Sequence, residues 1–143
     1  IPWKFEAGTP AIAEAVGFGA AVDYLSAIGM AQVRAHERAL TEYTLDALRA
    51  RFDERLTIYG PASADDRGGV ISFLFEGIHA HDVSQVVDEE GVCVRAGHHC
   101  AKPLMRQLGI PATTRASFGV YNDRSDADAL VDALAKAESF FAI

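Results

Sequence analysis

Apolar positions along this chain switch repeatedly between helical and strand spacing. After Thr9-Pro10, a hydroxyl followed by a residue suited to the first helical position, Ile12, Val16, Gly19, Val22 and Leu25 recur at helical intervals as far as Gly29. A second helix is predicted from about Ala31 to Phe52, with Val33, Leu40, Thr44, Ala47 and Leu48 on one side. The pattern then turns strand-like in Leu56–Tyr59, bounded by Gly60-Pro61, and again in 70–75 after the turn-rich 63–69. A helix near Asp82–Glu90 turns Val83, Val86 and Val87 inward and stops at Gly91. Val92-Cys93-Val94 reads as a short strand, which makes Cys93 a small buried hydrophobe. Residues 101–109 form a short helix with Pro103 in its first turn and Gly109 at its stop. Arg115–Tyr121 alternates with period two, placing Arg115, Ser117 and Tyr121 on one face and Phe118 and Val120 on the other. A last helix starts at Ser125 and packs Leu130, Val131, Leu134, Ala137 and Phe141.

Interleaved elements of this kind imply a small α/β layer, a mostly antiparallel sheet with helices against one face. Its 143 residues suffice for one core, and half of them are hydrophobic. The net charge of −7 argues against nucleic acid or an anionic membrane as partner. No apolar run reaches the roughly 18 residues of a membrane span. Two cysteines are too few for a secreted disulfide scaffold and suit a reduced, cytoplasmic setting.

Chemistry concentrates in Arg95-Ala-Gly-His98-His99-Cys100. Thiolate is the reactive form of cysteine, and Arg95, His98, His99 and the following helix start are the surroundings that favour it. Arg115 offers a planar fork suited to a carboxylate. Gly8 and Thr9 precede a helix, where backbone N–H groups and a hydroxyl suit an anion; the plainer reading of Thr9 is a helix cap. His79, His81, His98, His99 and Cys100 match no standard zinc spacing, so no resident metal is expected.

These segments resemble the C-terminal part of SufS-type cysteine desulfurases, in the class-V branch of fold-type-I pyridoxal-phosphate enzymes. The resemblance rests on Phe5-Glu-Ala-Gly-Thr-Pro10, His81-Asp-Val83, Arg95-Ala-Gly-His-His-Cys-Ala101, Pro103-Leu-Met105, Arg115-Ala-Ser117 and Tyr121-Asn122, in the family's order and spacing. It implies that residues 1–29 close a large domain and supply a connecting helix, whose apolar face would be orphaned in the chain alone. Residues 30–143 would be the small C-terminal domain. It implies a pyridoxal 5'-phosphate cofactor bound through a lysine upstream of this sequence, since Lys4, Lys102 and Lys136 do not stand at its position. On this reading the chain is a C-terminal fragment, inactive by itself.

The parent activity so implied converts L-cysteine to L-alanine and leaves a persulfide on Cys100, for iron–sulfur cluster assembly. Arg115 would hold the substrate carboxylate, while Arg95, His98 and His99 would serve electrostatics and proton traffic. Gly8 and Thr9 would approach the neighbouring subunit's cofactor phosphate in a homodimer. The sulfur would pass to an acceptor of SufE or SufU type, and His81, nineteen residues before Cys100, could take a zinc-ligand position on such a partner. The rival reading of His81 or Asp82 is a cap on the following helix. Two other functions stay open: a selenocysteine lyase, and a non-catalytic module that binds a sulfur acceptor.

Overall fold

The computed structural model describes Ile1 and residues 3–141. Two compact units divide the chain, Ile1–Arg34 and Ala35–Ile143. The first holds helix α1 (Ile12–Ile28), which begins two residues after the proline. Its N-cap is Ala11, without a side-chain hydrogen bond, so Thr9 is not the cap. The Pro10 carbonyl instead accepts the Ile12 N–H at 2.8 Å. No residue of α1 is buried; Val16 is 71% exposed and Phe18 73%, so the apolar stripe lies bare. Gly29 ends the helix at φ 93°, a backbone conformation that disfavours a side chain.

Helix α2 (Met30–Phe52) runs on into the second unit. There the strands β1 (Leu56–Tyr59), β2 (Val70–Phe75), β3 (Arg95–Gly97) and β4 (Thr113–Ser117) form one sheet in the order β1-β2-β4-β3. Every neighbouring pair is antiparallel. The alternation in β2 sends Ile71, Phe73 and Phe75 to one face. There they meet Leu45, Leu48 and Phe52 of α2, Val83 and Val87 of α3 (Ala80–Glu89), and Leu130 and Leu134 of α5 (Arg124–Phe141). This is the small α/β domain with an antiparallel sheet that the sequence pattern anticipates.

Three details depart from that pattern. Val92–Val94 forms no ladder, because the Val92 N–H is spent on the end of α3, donated to the Val87 carbonyl at 3.0 Å. Pairing with β4 starts at Arg95, and the alternation that packs Val92 and Val94 against the core leaves Cys93 exposed. β4 starts at Thr113 and stops at Ser117. The Asn122 side chain there accepts the Gly119 N–H at 2.8 Å, making a turn that carries Tyr121 off the strand face and into solvent. Finally, α3 is capped by His79, whose Nδ1 accepts the His81 N–H at 3.3 Å, and by neither His81 nor Asp82.

Glu138 is a buried carboxylate on α5 that pairs with Arg51 at 3.4 Å and with Arg55, tying α5 to the end of α2. Charge-assisted hydrogen bonds of this kind contribute about 1.5–3 kcal/mol, so Glu138→Gln should lower the urea midpoint accordingly. Replacing both Arg51 and Arg55 by alanine should cost more, about 3–5 kcal/mol, because the carboxylate then stays buried without a partner.

Candidate active site

The register of the sheet places four side chains in one row on the face away from α2, α3 and α5. Tyr59 pairs with Ser72, Ser72 with Arg115, and Arg115 with Arg95, one residue from each strand. Directly opposed residues bring their Cβ atoms to about 4.5–5.5 Å, and like charges there are destabilising. Among the described residues neither arginine makes an ion pair. The Arg115 Nε atom is shielded from solvent and lacks a hydrogen-bond partner. Two arginines paired in register, with no carboxylate in ion-pair contact among the described residues, form a site that an incoming anion would relieve.

The chain leaves β3 through Gly97 at φ 132° and turns sharply. His99 (φ 51°) and Cys100 (φ 59°) are consecutive non-glycine residues in the left-handed region, which costs roughly 1–2 kcal/mol per residue. The loop's hydrogen bonds offset that strain. The Cys100 N–H is donated to His98 Nδ1 at 3.1 Å, and the Ala101 N–H to the His98 carbonyl at 2.8 Å. The turn presents the Cys100 thiol to solvent, with an Arg95 guanidinium nitrogen 3.9 Å from Sγ. Helix α4 (Lys102–Leu108) follows, with Pro103 in its first turn and Gly109 closing it at φ 71°.

His99 turns the other way. Its Nε2 lies 3.1 Å from the Thr113 carbonyl and 2.9 Å from the Thr113 hydroxyl. A carbonyl can only accept, so Nε2 carries the proton, and in the neutral ring Nδ1 is left as an acceptor. That Nδ1 is shielded and unpartnered. Burial first, then the Arg115 charge, pushes the imidazole below its ordinary value, with Arg95 and His98 acting in the same sense and the Thr113 carbonyl opposing. A histidine held neutral in the fold contributes stability that is full above the unfolded value of about 6.5 and is lost as pH falls below it. The urea-midpoint difference between this chain and His99→Gln should therefore narrow between pH 7 and pH 5.

A cavity of about 420 Å³ adjoins these groups, lined by Tyr59, Ser72, His99 and Arg115 and closed on its apolar side by Leu104 and Leu108 of α4. The structure thus brings Arg95, His98, His99, Cys100 and Arg115 into one region of the second unit. Gly8 and Thr9 belong to the first unit, where Gly8 adopts φ 78° and Thr9 is exposed. His81 is exposed at the start of α3, its ring stacked on His79 with centroids 5.2 Å apart. Cys93 lines a different cavity, with Ser117, Tyr121 and Asn122. Sequence reasoning missed Tyr59, Ser72 and Thr113. The alternation in 70–75 already put Ser72 opposite the core face, but only the strand register sets it beside Arg115.

The family model described as aminotransferase class-V matches residues 1–130. The chain is 56% identical over 142 residues to a cysteine desulfurase of Haloferax volcanii, covering 99% of this chain and 33% of that protein. It superimposes on the apo structure of cysteine desulfurase from Thermococcus onnurineus NA1 with TM-score 0.87 and 37% identity, over 99% of this chain and 34% of that one. The cysteine desulfurase CsdA (S-sulfonic acid) from Escherichia coli gives TM-score 0.85 at 37% identity, over 97% and 33%. The chain spans about a third of the length of the curated relatives it matches, and corresponds to their C-terminal portion.

Proposed function

Because this chain belongs to the class-V aminotransferase family and is homologous to cysteine desulfurases, we propose that it is the sulfur-accepting part of such an enzyme. L-cysteine becomes L-alanine, and its sulfur is left as a persulfide on Cys100. The observation that carries this reading is the exposed thiol beside Arg95, next to an Arg115 that lacks an internal anion.

Arg115 grips the substrate carboxylate with its planar fork, which no internal carboxylate occupies among the described residues. Pyridoxal phosphate, the cofactor of this family, supplies when bound the electron sink that loosens the substrate C–S bond. The Cys100 thiolate attacks the substrate sulfur: the S–S bond forms, the C–S bond breaks, and the electron pair left on carbon is protonated to the methyl of alanine. Arg95 aims the sulfur and faces the anionic persulfide, exposed His98 is the group placed to hold a proton, and His99, bonded to Thr113, holds the loop. Gly8 and Thr9 fit a phosphate, since Gly8 is turned at positive φ with open space about it and the Thr9 hydroxyl is not spent on capping α1. They would serve the cofactor of the neighbouring subunit in a homodimer.

The persulfide sulfur then passes to an acceptor protein of SufE or SufU type and on to iron–sulfur cluster assembly. His81 suits contact with a zinc-bearing acceptor, being exposed and relieved of capping duty by His79. Two free cysteines fit a reduced, cytoplasmic setting. No single helix among the described residues is long and apolar enough to cross a membrane. The test is the yield of alanine and of Cys100 persulfide from L-cysteine in the complete enzyme that carries this chain. Release of alanine without sulfur on Cys100 would overturn the reading.

A further inference from the structure

We infer that Thr113 and His99 form a clamp that positions the nucleophile, holding Cys100 in its left-handed conformation at a fixed offset from Arg115. Two consecutive non-glycine residues at positive φ persist only where their surroundings over-determine them. The bonds within the loop link His98 to Cys100 and Ala101, so they shape the turn without tying it to the sheet. His99 supplies that tie. Its Nε2–H is donated to the carbonyl of Thr113, a residue 1% exposed and in register with Gly97 at the base of the loop. Thr113 stands two residues before Arg115 on β4, hence on the same side of that strand. One imidazole therefore links the strand that bears the carboxylate grip to the residue adjoining the sulfur. Loss of the link lets residues 99 and 100 relax to negative φ, which swings Sγ away from Arg95.

His99 is here a positioning residue, one that acts through Cys100. Its place in the reaction rests on the desulfurase reading, whereas the clamp itself does not, and the test separates them. Amide hydrogen exchange at Cys100 is measured in this chain, in His99→Ala and in His99→Gln, which keeps a donor close to the Nε2 position. Exchange should be roughly tenfold faster in His99→Ala with the β2 amides unchanged, and near the native rate in His99→Gln. In the complete enzyme His99→Ala should lower kcat roughly tenfold with KM for L-cysteine little changed, and His99→Gln should recover most of it. Unchanged Cys100 exchange in His99→Ala overturns the clamp, as does a His99→Gln variant as impaired as the alanine. Should His99→Ala unfold, fast Cys100 exchange in a folded His99→Gln overturns it equally. If Cys100→Ala retains alanine release, the desulfurase reading fails while the exchange data still decide the clamp.

Discussion

Cys100→Ala is expected to abolish persulfide formation and to lower cysteine-dependent alanine release by at least about 10³-fold in the complete enzyme. The size follows from the chemistry. Alanine forms only if a nucleophile takes the substrate sulfur and leaves the C–S electron pair on carbon, and a methyl group offers no lone pair. Arg95, its nitrogen 3.9 Å from Sγ, would then face an empty position. Cys93 is the control. It is also a free, exposed thiol, but it lines a cavity with Ser117 and Asn122 and lies outside the left-handed turn, while the Arg95 guanidinium is turned to Cys100 Sγ. Cys93→Ala should retain alanine release and carry the full persulfide load. Intact mass after exposure to L-cysteine, with peptide mapping, checks both: one sulfur added at Cys100 in the parent and in Cys93→Ala, none in Cys100→Ala. Sulfur on Cys93 would show that the wrong thiol has been assigned.

Arg115→Lys should raise KM for L-cysteine and lower kcat/KM by roughly 10- to 150-fold, with kcat less affected. Lysine keeps the charge but loses the parallel pair of N–H donors that matches a carboxylate, a loss of about 1.5–3 kcal/mol. The carboxylate is held alike in ground and transition states, so the deficit falls mainly on binding. The change leaves the fold little disturbed, because the Arg115 side chain lies on the face away from the core, where Ala116 of the same strand packs. A fall in kcat at unchanged KM would instead place Arg115 against the reacting sulfur. Steady-state kinetics over a range of cysteine concentrations distinguishes the two.

Much of the domain was legible from local pattern. The alternation of β2, Val83 and Val87 of α3 and the leucines of α5 name their own buried faces, because burial follows side-chain period, whereas Val86, also expected inward, is only half-buried. Pro103 and Gly109 bracket α4 through their own backbone restrictions. Element edges were less legible where hydrogen bonds compete. Val92-Cys93-Val94 has strand composition, but the end of α3 takes its first N–H, and the strand forms three residues later at Arg95. Glu138 falls at helical spacing from Leu134 and Phe141, on the packed side of the last helix; only the approach of Arg51 and Arg55, more than eighty positions away, supplies the partners for its charge there.

The sequence by itself determined the chemistry available to this protein: a thiol set among Arg95, His98 and His99, with an arginine downstream whose planar fork suits a carboxylate. Those groups act through their own functional atoms and lie close together along the chain. Only the tertiary structure decided how they meet. The antiparallel register that seats Arg95 opposite Arg115, the placing of Ser72 and Tyr59 in the same row, and the bond from His99 to Thr113 all join residues distant in sequence. Such pairings depend on how separate strands align, and a one-residue slip would turn every one of these side chains to the opposite face.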